Sequence, residues 1–436
     1  MSKMTRQEIA AYALEAMRKA GADKAACGVT QGRKEEFNIE AGRFTLLRTL
    51  FDDSLSLKAL CDNKKGVTIV NKLDKDSIDK AVEDCITLAK HATPDEAEDI
   101  AEKIENKSFD LNIGGSDMGL LFTRTKDFLE QVKDEYPLIN LEGVVSEFTS
   151  AKTVYVNSKS VEFDSFKENY EFSAFFSASE GEKSSSFNYY GANLASLETP
   201  FIDLVMGRSL FEESVKSLNT RAVDDKFVGK IIVTPHCYDM VWETLIKCFL
   251  TDRALIEGTS RWKEALGTVV ADKKLTMRLA PLHPAIVAGE RVTMDGYESK
   301  DVDLIKNGVL ESFALSLYGA LKTGNKRTAN TAFSNIEIVA GDTPLEEMIK
   351  SIDRGILLNR FSGASPGPSG DISGVAKNSF LIENGKVSDA LSETMVSFNV
   401  VDILKDIPAI SKERIQTGYN IMPWCCFDGV TVSSSK

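Results

Sequence analysis

The spacing of apolar positions switches repeatedly between helical and strand periods, and the elements follow from those switches. Thr5-Arg6-Gln7-Glu8 fits a capping box, with Thr5 on the N3 amide and Glu8 reaching back, and predicts a helix to about Lys19 that stops near Gly21. Alternating stretches follow at 25–30, 35–41, 45–51 and 54–61. Asp52-Asp53 and residues 62–66 supply turn residues between them, so the segment predicts an antiparallel meander, closed by 67–70. Ile78, Ala81, Val82, Cys85 and Ala89 fall on one face at helical spacing, which predicts a helix over about 77–91 packed on that sheet.

Residues 94–115 are acidic and polar and read as a linker or surface excursion. A helix is expected over about 120–135. Residues 141–190, rich in Val, Phe, Tyr and Ser, predict a second antiparallel sheet, with a turn at Asn157-Ser158-Lys159-Ser160. Residues 201–218 read as helical and 219–227 as a polar crossing, which puts the major boundary near residue 222.

Gly229-Lys230-Ile231-Ile232-Val233-Thr234-Pro235 then reads as a buried strand that stops at a proline. A helix over 239–250 follows, with apolar Met240, Val241, Leu245, Cys248 and Phe249. Asn307-Gly308 and Asn384-Gly385 each fit a hairpin turn between strand-like runs. Thr343 with Pro344 at the first helical position marks a helix start. Residues 362–374 carry Gly363, Gly367, Gly370 and Gly374 with Pro366 and Pro368, a composition that suits close backbone approach or a cleft wall. The class is therefore α+β: an N-terminal half (1–222) of antiparallel sheets with packed helices, and a β-rich C-terminal half (223–436).

Composition narrows the function. Apolar residues make up 43% and charged residues 27%, ordinary for a globular chain. A net charge of −13 without a dense basic run argues against a nucleic-acid binder. No signal-peptide pattern opens the chain and no apolar stretch is long enough to span a membrane. Seven cysteines, an odd number with no Cys-x-x-Cys, suit reduced thiols in a cytoplasm.

Candidate chemistry is sparse. The three histidines, His91, His236 and His283, lie far apart, whereas zinc sites usually show paired ligands on one element. His91 sits near a helix C-terminus, where its charge suits the dipole. Cys425-Cys426 reads as two side chains on opposite faces of a strand rather than as a soft-metal site. Gly363-Ala364-Ser365-Pro366-Gly367 approaches a nucleophile-elbow motif, but Pro366 has no N–H for an oxyanion hole. Neither a Walker A motif nor a Gly-x-Gly-x-x-Gly after a strand is present.

Trp242-Glu243-Thr244-Leu245-Ile246-Lys247, then Trp262-Lys263, Leu266-Gly267, Asp295-Gly296, Ile305-Lys306-Asn307-Gly308-Val309-Leu310, Gly370-Asp371, Ile382-Glu383-Asn384-Gly385 and Ser392-Glu393-Thr394 occur in an order that resembles the TldD/PmbA family of zinc peptidases. Members with a metal site carry His-Glu-x-x-x-His on the helix and a cysteine near the C-terminus. Here Trp242 and Lys247, or Ile246 in another register, fill the histidine slots, and Gln416-Thr417-Gly418 fills the cysteine slot. Phe398-Asn399 also departs from the family's usual Gly-Asn. The chain thus looks closer to the PmbA (TldE) branch, which lacks the zinc motif. Glu243 would be the general base of a metal site; without a metal, Glu243 and Lys247 read as an i,i+4 ion pair in a vestigial slot.

The resemblance implies a cytoplasmic, oligomeric subunit that has no cofactor of its own, with zinc only in a TldD-type partner. It also implies a homodimer as the other assembly and an unfolded or leader peptide as substrate. Gly363, Gly370 and Asp371 are the peptide-cleft candidates, near sheet edges that offer strand addition. The alternative is a stand-alone peptidase of the same family with an atypical site assembled from His236, His283 and Cys237.

Overall fold

The computed structural model describes residues 4–328, 334–364, 366–392 and 394–434. Ser365 of the nucleophile-elbow-like stretch and Glu393 of the Ser-Glu-Thr motif lie outside the described residues. The capping box forms: Thr5 Oγ1 accepts the Glu8 amide at 3.2 Å, and Glu8 Oε2 accepts the Thr5 amide at 2.7 Å. It starts α1 (Arg6–Lys19), and Gly21, at φ +102°, turns the chain out of it. The N-terminal half continues through β1 (Lys24–Glu40), β2 (Arg43–Cys61), β3 (Lys64–Val70), α2 (Lys75–His91), β4 (Lys107–Leu111), α3 (Met118–Glu135), β5 (Ile139–Asn157), β6 (Glu162–Glu180), β7 (Lys183–Ser184), β8 (Asn188–Leu194) and α4 (Gly207–Lys216).

These strands make one sheet in the order β3-β2-β1-β5-β6-β4, with β7 and β8 also paired to β6. The expected four short strands are two long ones. Asp52 and Asp53 are not a turn; they pair with Gly32 and Gln31 in mid-hairpin, and the reversal lies at Ala41-Gly42, both at positive φ. Aspartate costs little in a strand whose side chains stand in water there. The expected second sheet is continuous with the first, because β1 pairs with β5 from Ala26–Asn157 to Glu40–Gly143. α1 and α2 bury Ile9, Met17, Ile78 and Cys85 against Val29 and Leu55 of this sheet, and α3 and α4 close an aromatic core of Phe128, Phe172, Phe176 and Phe211.

Residues 94–115 are not a free linker. Glu98 is buried and holds Lys58 at 2.9 Å and also Lys65, while Asp99 holds Lys24 at 2.9 Å and Lys159 at 3.0 Å. Acidic composition misled here because the charges are paired inward rather than solvated. The helical stretch at 201–218 is also interrupted: Val205 takes φ +57° between a 3₁₀ turn, Phe201–Asp203, and α4.

The C-terminal half holds β9 (Thr220–Arg221), β10 (Phe227–Val233), α5 (Tyr238–Leu245), β11 (Met277–Leu279), β12 (Val302–Lys306), β13 (Val309–Leu310), β14 (Ile336–Ile338), β15 (Arg354–Leu358) and β16 (Arg360–Gly363). It ends with β17 (Asp371–Lys377), β18 (Phe380–Glu383), β19 (Lys386–Leu391), β20 (Thr394–Asn399), β21 (Ala409–Gln416) and β22 (Ile421–Ser434). The main path is β13-β12-β11-β14-β22-β10-β15-β18-β19-β9, with β16, β17, β20 and β21 branching from it. Both Asn-Gly turns form, each residue at positive φ as a type I′ hairpin demands. Thr343 does not cap its helix: Leu345–Lys350 begins two residues on, and Glu413 Oε2 accepts the Leu345 amide at 2.9 Å instead. Cys425 and Cys426 face two different apolar clusters, as strand alternation requires. No helix among the described residues is long and apolar enough to cross a membrane.

Candidate functional site

A cavity of about 480 Å³ opens where the two halves meet, between β6 and β8 on one side and α5 with residues 417–420 on the other. Strand β10 leads into it. Its last bond, from the Thr234 amide to the Leu358 carbonyl at 3.1 Å, holds the chain as Pro235 starts a 3₁₀ turn, Pro235–Cys237. That turn sends His236 across to β8, where its Nε2 lies 3.0 Å from Asn188 Oδ1 and its ring stands 4.8 Å from that of Tyr189. Burial, with the Arg360 guanidinium second, pushes the His236 pKa down to about 4. The imidazole is therefore neutral near pH 7 and donates Nε2–H to the amide oxygen.

Tyr238, Asp239 and Glu243 line the same wall. Burial raises the Asp239 carboxyl above its usual range, opposed by the Met240 amide. Across the cavity Glu171 of β6 is raised too, by burial first and then by the neighbouring Glu147 charge. Each half thus contributes a carboxyl that favours its neutral form more than a solvated one would. The far rim is fixed by main-chain bonds, from the Asn193 amide to the Thr417 carbonyl at 2.8 Å and from the Ala288 amide to the Gly418 carbonyl at 2.9 Å. Gly418 has φ +73°, and a Cβ there would come within 1.9 Å of the Asn193 carbonyl oxygen.

The sequence-derived site residues divide. Glu243 and Thr417 converge on this cavity from opposite ends of the half-chain. Lys247 Nζ meets Glu243 Oε2 at 3.0 Å. Trp242 turns away: it is 2% exposed and packs 6.0 Å from Phe427 in the core. After Leu245 the helix widens into a π turn, Ile246–Leu250, a distortion common at functional sites. Gly363, Gly370 and Asp371 do not line this cavity. Gly363 pairs with Gly374 at the end of the β16–β17 hairpin. A Cβ on Gly370, which sits at φ +79°, would come within 2.8 Å of Phe249, so this glycine serves close packing. Asp371 is held by Asn399 at 2.8 Å and Ser369 at 2.7 Å. Pro366 and Pro368 of that loop instead face Lys247 and Cys248 across a separate cavity of about 570 Å³.

The donor set does not fit zinc. An indole cannot ligate and Trp242 is buried in the core; an ammonium repels a cation, and Lys247 occupies Glu243. His283 Nδ1 accepts the Ala285 amide at 3.1 Å, and Cys237 is wholly buried with its thiol pushed up. Among the described residues no three His, Cys, Asp or Glu side chains stand where they could hold a metal ion. Glu171, Asn188 and Tyr189 escaped the sequence reading, since no spacing links them to residues 236–243 and only the docking of the halves does so.

Comparison with known proteins gives consistent relatives. Residues 228–434 match the PmbA/TldA metallopeptidase C-terminal domain. The chain is 21% identical over 435 residues to the Metalloprotease PmbA homolog of Haemophilus influenzae, covering 94% of this chain and 93% of that one. It is 27% identical over 151 residues to Metalloprotease PmbA of Escherichia coli O157:H7, covering 32% and 33%. Its fold superposes on TldE of Thermococcus kodakarensis with a TM-score of 0.84 at 19% identity, covering 98% of this chain and 100% of that one.

Proposed function

From the premise that this chain belongs to the TldD/PmbA family, we propose that it is a metal-free, PmbA/TldE-like subunit of a metallopeptidase complex. One observation carries the reading: the helix face that the resemblance assigns to metal ligands is occupied by a core tryptophan, Trp242, and by the Glu243–Lys247 ion pair. The zinc belongs to a TldD-type partner, and this chain supplies walls for a peptide-binding cleft. The cavity between the halves suits that role. Tyr189, Tyr238 and Tyr419 give flat apolar surface, and Glu171, Asp239 and Glu243 give acceptors for backbone amides. A cytoplasmic setting is part of the proposal and is supported by seven cysteines without a disulfide.

The experiment has two arms. Elemental analysis of the dialysed chain is expected to give no stoichiometric zinc; tight retention of one zinc per chain overturns the reading. Cleavage of an unfolded peptide is then measured with this chain, with a zinc-bearing TldD-type chain, and with both. Activity only in the mixture, or well above the partner's own, is the expected result. Chelator-sensitive cleavage by this chain alone, abolished in Glu243→Ala, would instead establish a stand-alone peptidase.

A further inference from the structure

Side chains alternate along a strand, so the odd-numbered positions of β6 share one face, opposite the face that buries Phe172 and Phe176. Glu171 and Ser173 lie in the cavity between the halves, and Phe163, Ser165 and Lys167 lie in a second cavity of about 420 Å³ beside it. Ala288 lines both, so the two meet under one loop of the C-terminal half. That loop is held firmly. The Ala288 amide donates to the Gly418 carbonyl and the Ser299 amide to the Arg291 carbonyl, each at 2.9 Å, and Arg291 Nη1 donates to the Pro281 carbonyl. Gly289 is packed so closely that a Cβ there would come within 2.0 Å of the Pro281 carbonyl oxygen.

The second cavity holds charge that the fold leaves unpaired. Its charged lining residues are Lys167, Glu290 and Arg291, all half-buried. Lys167 stands between Ala151 of β5 and Leu111 of β4, and neither neighbour can pair with it. The Lys167 ammonium and the Glu290 carboxylate make no hydrogen bond or ion pair with any described residue, and Arg291 makes no ion pair among them. Burial lowers the Lys167 pKa and the nearby Arg291 charge lowers it further; burial also lowers that of Arg291. Two half-buried cations that repel each other are stabilised by an anion set between them. Two cations against one carboxylate leave a single positive charge, in a chain of net charge −13. That balance suits a carboxylate, which a planar guanidinium grips through both oxygens. A phosphate dianion would add a charge that Glu290 repels.

The neighbouring cavity identifies where the carboxylate comes from. Lys167 and Glu171 are four residues apart on one face of β6, and four residues at ~3.3 Å each span roughly 13 Å. An extended peptide covers the same distance in as many residues. With its body against Tyr189 and Tyr238 and an amide facing Glu171, its last residue reaches Lys167.

We propose that Lys167 and Arg291 bind the terminal carboxylate of a peptide whose preceding residues lie in the cavity between the halves. The chain then selects free C-terminal ends and fixes the direction in which a peptide lies. The inference rests on the cleft reading above and adds to it the site that takes the peptide's end.

The test is fluorescence anisotropy of an unfolded peptide, labelled at its N-terminus, with the full chain. The peptide is made as the free acid and as the C-terminal amide. The acid is expected to bind at least tenfold tighter, the scale of one charge-assisted hydrogen bond. Lys167→Met is expected to bring the acid down to the amide, and Lys167→Arg to keep most of the preference. Far-UV circular dichroism checks that both variants fold. N-acetylglycine is expected to displace the acid, though more weakly than unlabelled peptide acid does, and inorganic phosphate is expected not to displace it. Acid and amide binding alike overturn the proposal and leave the cleft reading standing, whereas binding of neither overturns both. A preference that survives Lys167→Met in a folded variant, or is lost equally in Lys167→Arg, overturns the role of the ammonium. Displacement by phosphate overturns the carboxylate assignment. N-acetylglycine as tight as the peptide acid would make this a site for a free small carboxylate and overturn the link to the cleft.

Discussion

Trp242 and Glu243 are neighbours in sequence with opposite fates, and the contrast is measurable. Trp242 is packed among core side chains against Phe427, so Trp242→Ala is expected to cost about 3–5 kcal/mol in denaturant unfolding. Glu243→Ala removes an i,i+4 pair at the cavity rim and is expected to cost only about 0.2–0.5 kcal/mol. A second residue gives a pH signature. Burial pushes the Glu213 carboxyl on α4 up to about 8, while Asn359 Nδ2 donates to it at 2.7 Å. Because the folded pKa lies above the unfolded one, the folded state binds the extra proton between roughly pH 4.5 and pH 8. This group's contribution is therefore intact below that window and is lost as pH rises through it. Glu213→Gln is expected to flatten that fall and to raise stability at pH 8.5 by on the order of 2–4 kcal/mol relative to wild type. Denaturation midpoints across the range read it. His236 acts in the opposite sense: its pKa is lowered, so stability is lost as pH falls from about 6.5 towards 4.

At the level of elements, segment 94–106 shows how composition and structure part. It has no regular hydrogen-bond ladder, yet Glu98 and Asp99 fasten it to β1, β2, β3 and the β5–β6 turn, and Asp95 reaches Lys322 at 2.8 Å and Tyr318 at 2.9 Å. Limited proteolysis is expected to spare it in the wild type. Glu98→Ala is expected to cost about 1–3 kcal/mol and to open the segment to cleavage, because it removes a buried carboxylate that satisfies two lysines. Cutting there at equal rates in both proteins would contradict this account.

For the whole molecule, we propose domains at 1–222 and 223–436 that are docked rather than separate. Contacts between them are numerous and polar: Lys107 to Glu298 at 2.8 Å, Asn378 to the Phe187 carbonyl at 2.8 Å, Asn359 to Glu213, and His236 to Asn188. A chain cut once near residue 222 is expected to elute as one particle under native conditions and to separate only in denaturant. Fragments that part without denaturant would contradict the docking; failure of any protease to cut between 195 and 230 would contradict the boundary.

The sequence by itself determined what depends on near neighbours. The capping box at Thr5, the helical face of Ile78, Ala81, Val82, Cys85 and Ala89, and the two Asn-Gly hairpins need only dihedral preference and spacing a few residues wide. The Glu243–Lys247 pair was legible for the same reason, one helical turn apart. The tertiary structure alone decided what depends on distant partners. It made one sheet of two expected ones by laying β5 beside β1, and it carried Asp52-Asp53 through a strand because pairing along the whole hairpin outweighed two poor strand formers. It set Glu171, Asn188 and Tyr189 facing His236 and Asp239, residues whose separation in the chain carries no spacing signal. It also buried Trp242 while leaving Glu243 at the cavity rim. Helical periodicity says that the two diverge; only the surrounding core says which one is inside, because burial is a property of what packs against a face and not of the face itself.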